Sequence, residues 1–134
     1  LTQKVEDVLF TDCDIIGDHG REWSLRIYQT DSGWIKNVRF ENIRIEESVK
    51  FASLWINSAY WTTDAERGHI ENVVFKDITV NSPTPLEKGF EFLGYDTEHA
   101  IHQVQIQDVT INGQKVTAQD VVMNDYVYDV TVLP

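Results

Sequence analysis

Residues 13–23, CDIIGDHGREW, bring Asp18, His19, Arg21 and Glu22 together in one short stretch. Glycoside hydrolysis uses a pair of carboxyl groups facing each other across a cleft, about 5–9.5 Å apart. Asp18 and Glu22, with His19 between them, are therefore the catalytic candidates. The same letters suit a polar loop closing the first turn of a fold. With 22 acidic residues in the chain, chance pairs are easy to find.

A second chemistry is spread over three segments: YQTDSGW (28–34), NSAYWTTDAERGH (57–69) and GYDTEHA (94–100). Each carries aromatic residues and at least one carboxylate. A pyranose ring presents C–H groups to an aromatic face while its hydroxyls bond to acids, amides or Arg. Trp34, Trp55, Tyr60, Trp61 and Tyr95 are the expected stacking residues, and Arg26, Asp64 and Asp96 the expected hydroxyl partners. Any one of these rings could instead fold back to cover a corner of the core.

Other chemistries fit less well. His99 and His102 could clip a metal, but His102 falls where Glu6, Lys36 and Glu71 stand in related segments, and exposure explains all four. Asp12, Asp14 and Asp18 begin like a calcium loop, yet Trp23 occupies the place of its closing Glu. No phosphate loop, nucleophile elbow or zinc-helix motif occurs, so neither a metal nor a cofactor is expected. The net charge of −11 opposes nucleic acid and anionic membranes as partners, because both require clustered Lys and Arg. No apolar run approaches the ~20 residues of a membrane span. Cys13 is the single cysteine, so no internal disulfide forms. The chain begins at Leu1 and reads as one domain, residues 1–134, cut from a longer polypeptide.

What positions these groups is a repeat. VEDVLFTDCDI (5–15), IKNVRFENIRI (35–45), IENVVFKDITV (70–80) and IHQVQIQDVTI (101–111) share one pattern, and VYDVTV (127–132) is a shortened copy. A fixed motif at this spacing marks a solenoid, and the period of two within it marks strands. The column Asp12, Asn42, Asp77, Asp108 suits a bend, since Asn and Asp tolerate left-handed backbone; stacked in register, such side chains could bond from rung to rung. Between repeats, Leu25-Arg26-Ile27, Leu54-Trp55-Ile56 and Phe90-Glu91-Phe92 supply a third strand with Arg26, Trp55 and Glu91 as its outward column. The expected fold is all-β: a right-handed parallel β-helix of about four to five rungs, three short strands per rung. A β-sandwich has a similar strand count but no reason to repeat the same residues. Identical letters recur because each rung buries its apolar face only by stacking on its neighbours. Cys13 shares the column of Ile43, Ile78 and Val109 and is expected to fill the core.

The rungs preceded by an LRI strand resemble the right-handed β-helices of polygalacturonase-type and dextranase-type glycoside hydrolases. In the pectinases a strand like Gly-Ile-Arg-Ile-Lys precedes such a rung, and its basic residues bind substrate. Leu25-Arg26-Ile27 matches that place, with Tyr28 standing where the Lys would be; His19-Gly20 and Ser24 loosely match a His-Gly pair before a Ser-containing strand. Those enzymes place catalytic acids in an Asn-x-Asp and an adjacent Asp-Asp pair, and no adjacent Asp-Asp occurs here. The resulting expectation is a non-catalytic carbohydrate-binding module within a larger secreted enzyme. Its partner is a plant cell-wall polysaccharide, with a neutral, xylan-like glycan favoured by the acidic charge. The alternatives are the C-terminal rungs of a hydrolase acting on a pectin- or dextran-like polysaccharide, or a structural spacer. Open solenoid ends also offer a surface for self-association.

Overall fold

The computed structural model describes residues 4–18, 20–30, 32–57 and 67–134. In chain order the strands are β1 (Lys4–Ile15), β2 (Leu25–Gln29), β3 (Trp34–Ile45), β4 (Lys50–Ile56), β5 (His69–Val80), β6 (Lys88–Leu93), β7 (Ile101–Ile111), β8 (Gln114–Lys115), β9 (Val121–Met123) and β10 (Val127–Leu133). A 3-10 turn spans Ala118–Asp120.

The long strands pair side by side in the order β1-β3-β5-β7-β10, and the short ones in the order β2-β4-β6-β9. Every pairing within these two series is parallel, so successive turns of the chain lie on one another as a parallel β-helix. A sandwich of antiparallel hairpins is thereby excluded. The register is that of the repeat: Val38 pairs with Val73 and Val73 with Val104, Phe40 with Phe75, and Ile43 with Ile78.

Between the two sheets lies a core built from stacked like residues. Phe10, Phe40 and Phe75 form a ladder with ring centroids 5.2 and 5.1 Å apart. Phe75 also meets Phe90 edge-on at 5.2 Å, which ties the long-strand sheet to the short-strand sheet. Ile43, Ile78 and Val109 are buried, whereas Cys13, at the top of that column, is only half-buried. The reason is position: among the described residues β1 pairs with β3 alone, and its Phe10 remains 49% exposed.

The expected bend is present. Asp12, Asn42, Asp77 and Asp108 all have φ between 53° and 57°, in the left-handed region that Asn and Asp tolerate. A second column bends in the same way: Asp7, Asn37, Asn72, Gln103 and Asp129, with φ between 55° and 60°. β1, β3, β5 and β7 therefore each turn twice without losing their pairing, and the shorter β10 once, where the sequence suggested two short strands meeting at one corner. Hydrogen bonds run between rungs at both bends. Asn72 Nδ2 donates to Asn37 Oδ1 (2.8 Å) and Asn37 Nδ2 to Asp7 Oδ1 (3.0 Å); Asn42 Nδ2 donates to Asp12 Oδ1 (2.5 Å). An amide donates and accepts, so it continues such a ladder, and a carboxylate, which only accepts, ends it.

Candidate functional site: an aromatic and arginine face on the short strands

In β2, buried Leu25, Ile27 and Gln29 alternate with Arg26 and Tyr28, which face outward. The register with β4 pairs Arg26 with Ser53 and Tyr28 with Trp55, and the register with β6 carries these columns on to Glu91 and Leu93. Arg26, Trp55 and Glu91 were expected in one column. Trp55 instead stands two residues further along, beside Tyr28. A slip of two keeps every side chain on its own face, so the expected face is right and the expected neighbours are wrong.

The slip creates the central feature of the face. Tyr28 and Trp55 stack with centroids 4.9 Å apart and planes 18° apart. The Arg26 guanidinium lies over both rings, 4.8 Å from the Tyr28 centroid and 5.1 Å from that of Trp55. Glu22 Oε2 accepts from Arg26 Nη1 at 2.5 Å, while Arg26 Nε is buried without a hydrogen-bond partner. Asn57 Nδ2 donates to the Tyr28 hydroxyl and fixes the tilt of that ring. On β6, beyond β4, Lys88 Nζ meets Glu91 Oε2 at 3.0 Å.

Beyond the ends of these strands lies a second group. Trp34 opens β3 and stacks on His69, its registered neighbour at the start of β5, at 3.9 Å. His69 lies 5.3 Å from His99, and Tyr95 meets His99 edge-on at 6.3 Å. Asp96 accepts from the His99 ring (2.8 Å), the His99 N–H (2.7 Å) and the Glu98 N–H (3.0 Å). Desolvation pushes the Asp96 carboxyl upward, but the bonds and charge of His99 outweigh it and hold the carboxyl below its ordinary value. Arg67 is 3% exposed, donates to the Thr30 carbonyl (2.8 Å) and lies 5.7 Å from the Tyr95 ring centroid.

The expected binding set is thus divided. Arg26 and Trp55 lie together on the short strands, joined by Tyr28; Trp34, Tyr95 and Asp96 belong to the corner that follows. Tyr60, Trp61, Asp64 and His19 lie outside the described residues. His69 and Arg67 were missed as members of the corner. Only the place of His69 in the column of Trp34 hinted at it, and the unequal repeat spacing obscures that column.

Asp18 and Glu22 have other partners. Asp18 Oδ2 accepts from Ser24 Oγ (2.7 Å) and Oδ1 from the Gly20 N–H (3.2 Å), while Ser24 Oγ also meets Ser48 Oγ at 2.7 Å. This polar knot closes a corner of the first rung, and Glu22 anchors Arg26. His99 and His102 diverge, the first to Asp96 and the second to a stack on Tyr128 at 5.0 Å. Among the described residues, no group of three or more His, Cys, Asp or Glu could hold a metal ion.

The molecule is thus a parallel β-helix that carries an aromatic and arginine face outside its short strands. The family model for glycosyl hydrolases family 28 matches residues 1–127. The chain belongs to that family and forms a polygalacturonase-like glycoside hydrolase region. No curated protein and no solved structure matches it.

Proposed function

We propose that this β-helix is the glycan-holding part of a family 28 glycoside hydrolase, working on an extracellular polysaccharide. Membership of the family favours a hydrolase over a stand-alone, non-catalytic module. The observation that carries the reading is the stacked pair Tyr28 and Trp55 with Arg26 across both rings. Such a face meets the C–H side of a sugar ring with aromatic area and its hydroxyls with guanidinium and carboxylate groups. Because the rungs stack at strand spacing, ~4.8 Å, a glycan chain can run along them. Asp18 and Glu22 already hold Ser24 and Arg26, which favours a binding role for this face over bond cleavage.

Affinity electrophoresis in gels containing xylan, β-glucan, galactomannan or pectin tests this, with reducing-sugar release assayed in parallel. The expected result is retardation by one glycan, lost in Trp55→Ala. Absence of retardation by all four overturns the reading. Release of reducing ends by the chain itself would assign cleavage, as well as binding, to these residues.

A second reading, self-association through the open end, rests on β1. Val5, Leu9 and Phe10 there are 51%, 54% and 49% exposed. Beside them lies a mostly apolar cavity of about 330 Å³, lined by Phe10, Cys13, Ile15, Leu25, Phe40 and Ile43 together with Ser24 and Arg26. A second copy seated on this edge would complete its pairing. Light scattering decides it: a dimer that Phe10→Glu returns to monomer supports the reading, and a monomeric parent chain overturns it.

A further inference from the structure

We propose that Arg67 and Asn124 are positioning residues: they hold the Tyr95 ring as a further sugar contact one rung beyond Trp55, so that a bound glycan veers from the short strands toward the corner. The inference rests on the glycan-binding reading above and adds the path of the chain and the residues that set it.

The column of rings on the short strands stops after two rungs. Tyr28 is registered with Trp55 and Trp55 with Leu93, whose half-buried aliphatic side chain offers no ring. A glycan running straight along the rungs loses its aromatic support at β6. Tyr95 lies two residues beyond Leu93 and is 38% exposed. Its place is nevertheless fixed from three directions.

From the next rung, Asn124 Oδ1 accepts from the Gly94 N–H (3.1 Å) and Asn124 Nδ2 donates to the Gly94 carbonyl (2.8 Å), a two-point match that ties down the chain where β6 ends. A Cβ at Gly94 would run into the Tyr126 carbonyl, so a glycine is needed for so close an approach. Within the corner, His99 meets the Tyr95 ring edge-on at 6.3 Å, and its carbonyl accepts from the Tyr95 N–H (3.0 Å). From an earlier corner comes Arg67, whose guanidinium lies 5.7 Å from the ring centroid while Nη1 donates to the Thr30 carbonyl (2.8 Å).

Arg67 is 3% exposed, and its planar guanidinium is oriented by the bond to Thr30, two residues beyond Tyr28. One side chain thus couples the corner after β2 to the ring after β6. With the guanidinium on one face of Tyr95, the exposed side is the one turned away from Arg67. A tyrosine that merely covered the corner would be buried against it, whereas an exposed ring fixed in advance loses little entropy on meeting a ligand. Rungs stack ~4.8 Å apart, close to the length of a pyranose, so a chain with units on Tyr28 and Trp55 brings the next to the rung of Tyr95.

Titration calorimetry with the di- and tetrasaccharides of the xylan, mannan and polygalacturonate series tests the inference on the full chain and its variants. In the parent chain the tetrasaccharide of the bound series is expected to bind at least about tenfold more tightly than the disaccharide, the scale of one central aromatic contact. Tyr95 is exposed, so Tyr95→Ala keeps the fold; it should abolish most of that gain and leave the disaccharide unchanged. Arg67→Lys keeps the charge and loses the planar group, and should lower tetrasaccharide affinity by about threefold, the scale of a cation–π contact. Asn124→Ala releases Gly94 without disturbing a buried charge and should act in the same direction, which keeps the test decisive if Arg67→Lys does not fold. Neither substitution should add to the loss in Tyr95→Ala, because both act through that ring. Losses that add to it, or that fall equally on the disaccharide, would mark a merely structural role and overturn the positioning. A parent chain that gains nothing with length, or tetrasaccharide affinity unchanged in Tyr95→Ala, would overturn the inference as a whole and leave glycan binding on Trp55 standing. Binding of none of the saccharides would overturn the glycan-binding reading itself.

Discussion

The indole of Trp55 lies on the ring of Tyr28 at 4.9 Å although the two residues belong to successive turns of the chain, so neither ring is placed by its own strand alone. Each side chain limits the other's rotamers, and Asn57 holds the Tyr28 hydroxyl from beyond the strand end. A platform fixed in advance loses little conformational entropy when a sugar settles on it.

Trp55→Ala should therefore weaken glycan binding by about 1–3 kcal/mol, the range for a central aromatic contact. Its stability cost should be smaller, since the ring is only half-buried. Calorimetric affinity and thermal midpoint, measured on the same samples, separate the two effects. Affinity that survives unchanged removes Trp55 from the site.

The fold was largely legible because its repeats stack on themselves. The positions Val38, Phe40, Ile43 and Ile45 recur as Val73, Phe75, Ile78 and Val80, and those pairs are registered neighbours. The second bend was less legible. Asn37 sits within an alternating run and reads as an ordinary outward residue, whereas its backbone is left-handed at φ 57°. The register of the short strands was misread because Leu25 and Leu54 look equivalent, yet Leu25 pairs with Ala52. Hydrophobic alternation specifies a face and leaves slips of two undetermined. The corner group was hidden for a different reason: Trp34 and His69 are 35 residues apart in the sequence, and nothing local links an indole to an imidazole.

Asn37 provides a direct test of the second bend. Asn37→Ala loses the bonds to Asp7 and Asn72 and forces an alanine into left-handed backbone. Asn37→Gly loses the same bonds but tolerates the bend. The alanine variant should be less stable than the glycine variant by about 1 kcal/mol. Urea unfolding midpoints report this difference, and equal midpoints would mean that the bend carries no cost.

Asp96 predicts a pH dependence. Its carboxyl is held below the ordinary value, so the folded state binds its proton less readily than the unfolded chain does. The stabilisation from this group is fully present above the unfolded value, near pH 4, and is lost as pH falls through the lower folded value. Asp96→Asn should lower the thermal midpoint at neutral pH, and the gap from the parent chain should close as pH falls below about 4. A gap that stays constant over that range would show that the His99 contacts do not depend on the charge of Asp96.

Asp18 separates a catalytic from a structural role most cleanly. Its two oxygens take the Ser24 hydroxyl and the Gly20 N–H, and its own N–H donates to the Glu47 carbonyl at 3.1 Å. Removing the carboxylate leaves the Ser24 hydroxyl with Ser48 alone inside a half-buried corner. Asp18→Ala should cost about 1–2 kcal/mol of stability, the scale of one or two hydrogen bonds, one of them to a charged group. If the role is structural, glycan affinity and any sugar release, counted per folded molecule, should match the parent chain. Activity lost by orders of magnitude with the thermal midpoint unchanged would instead return Asp18 to the chemistry.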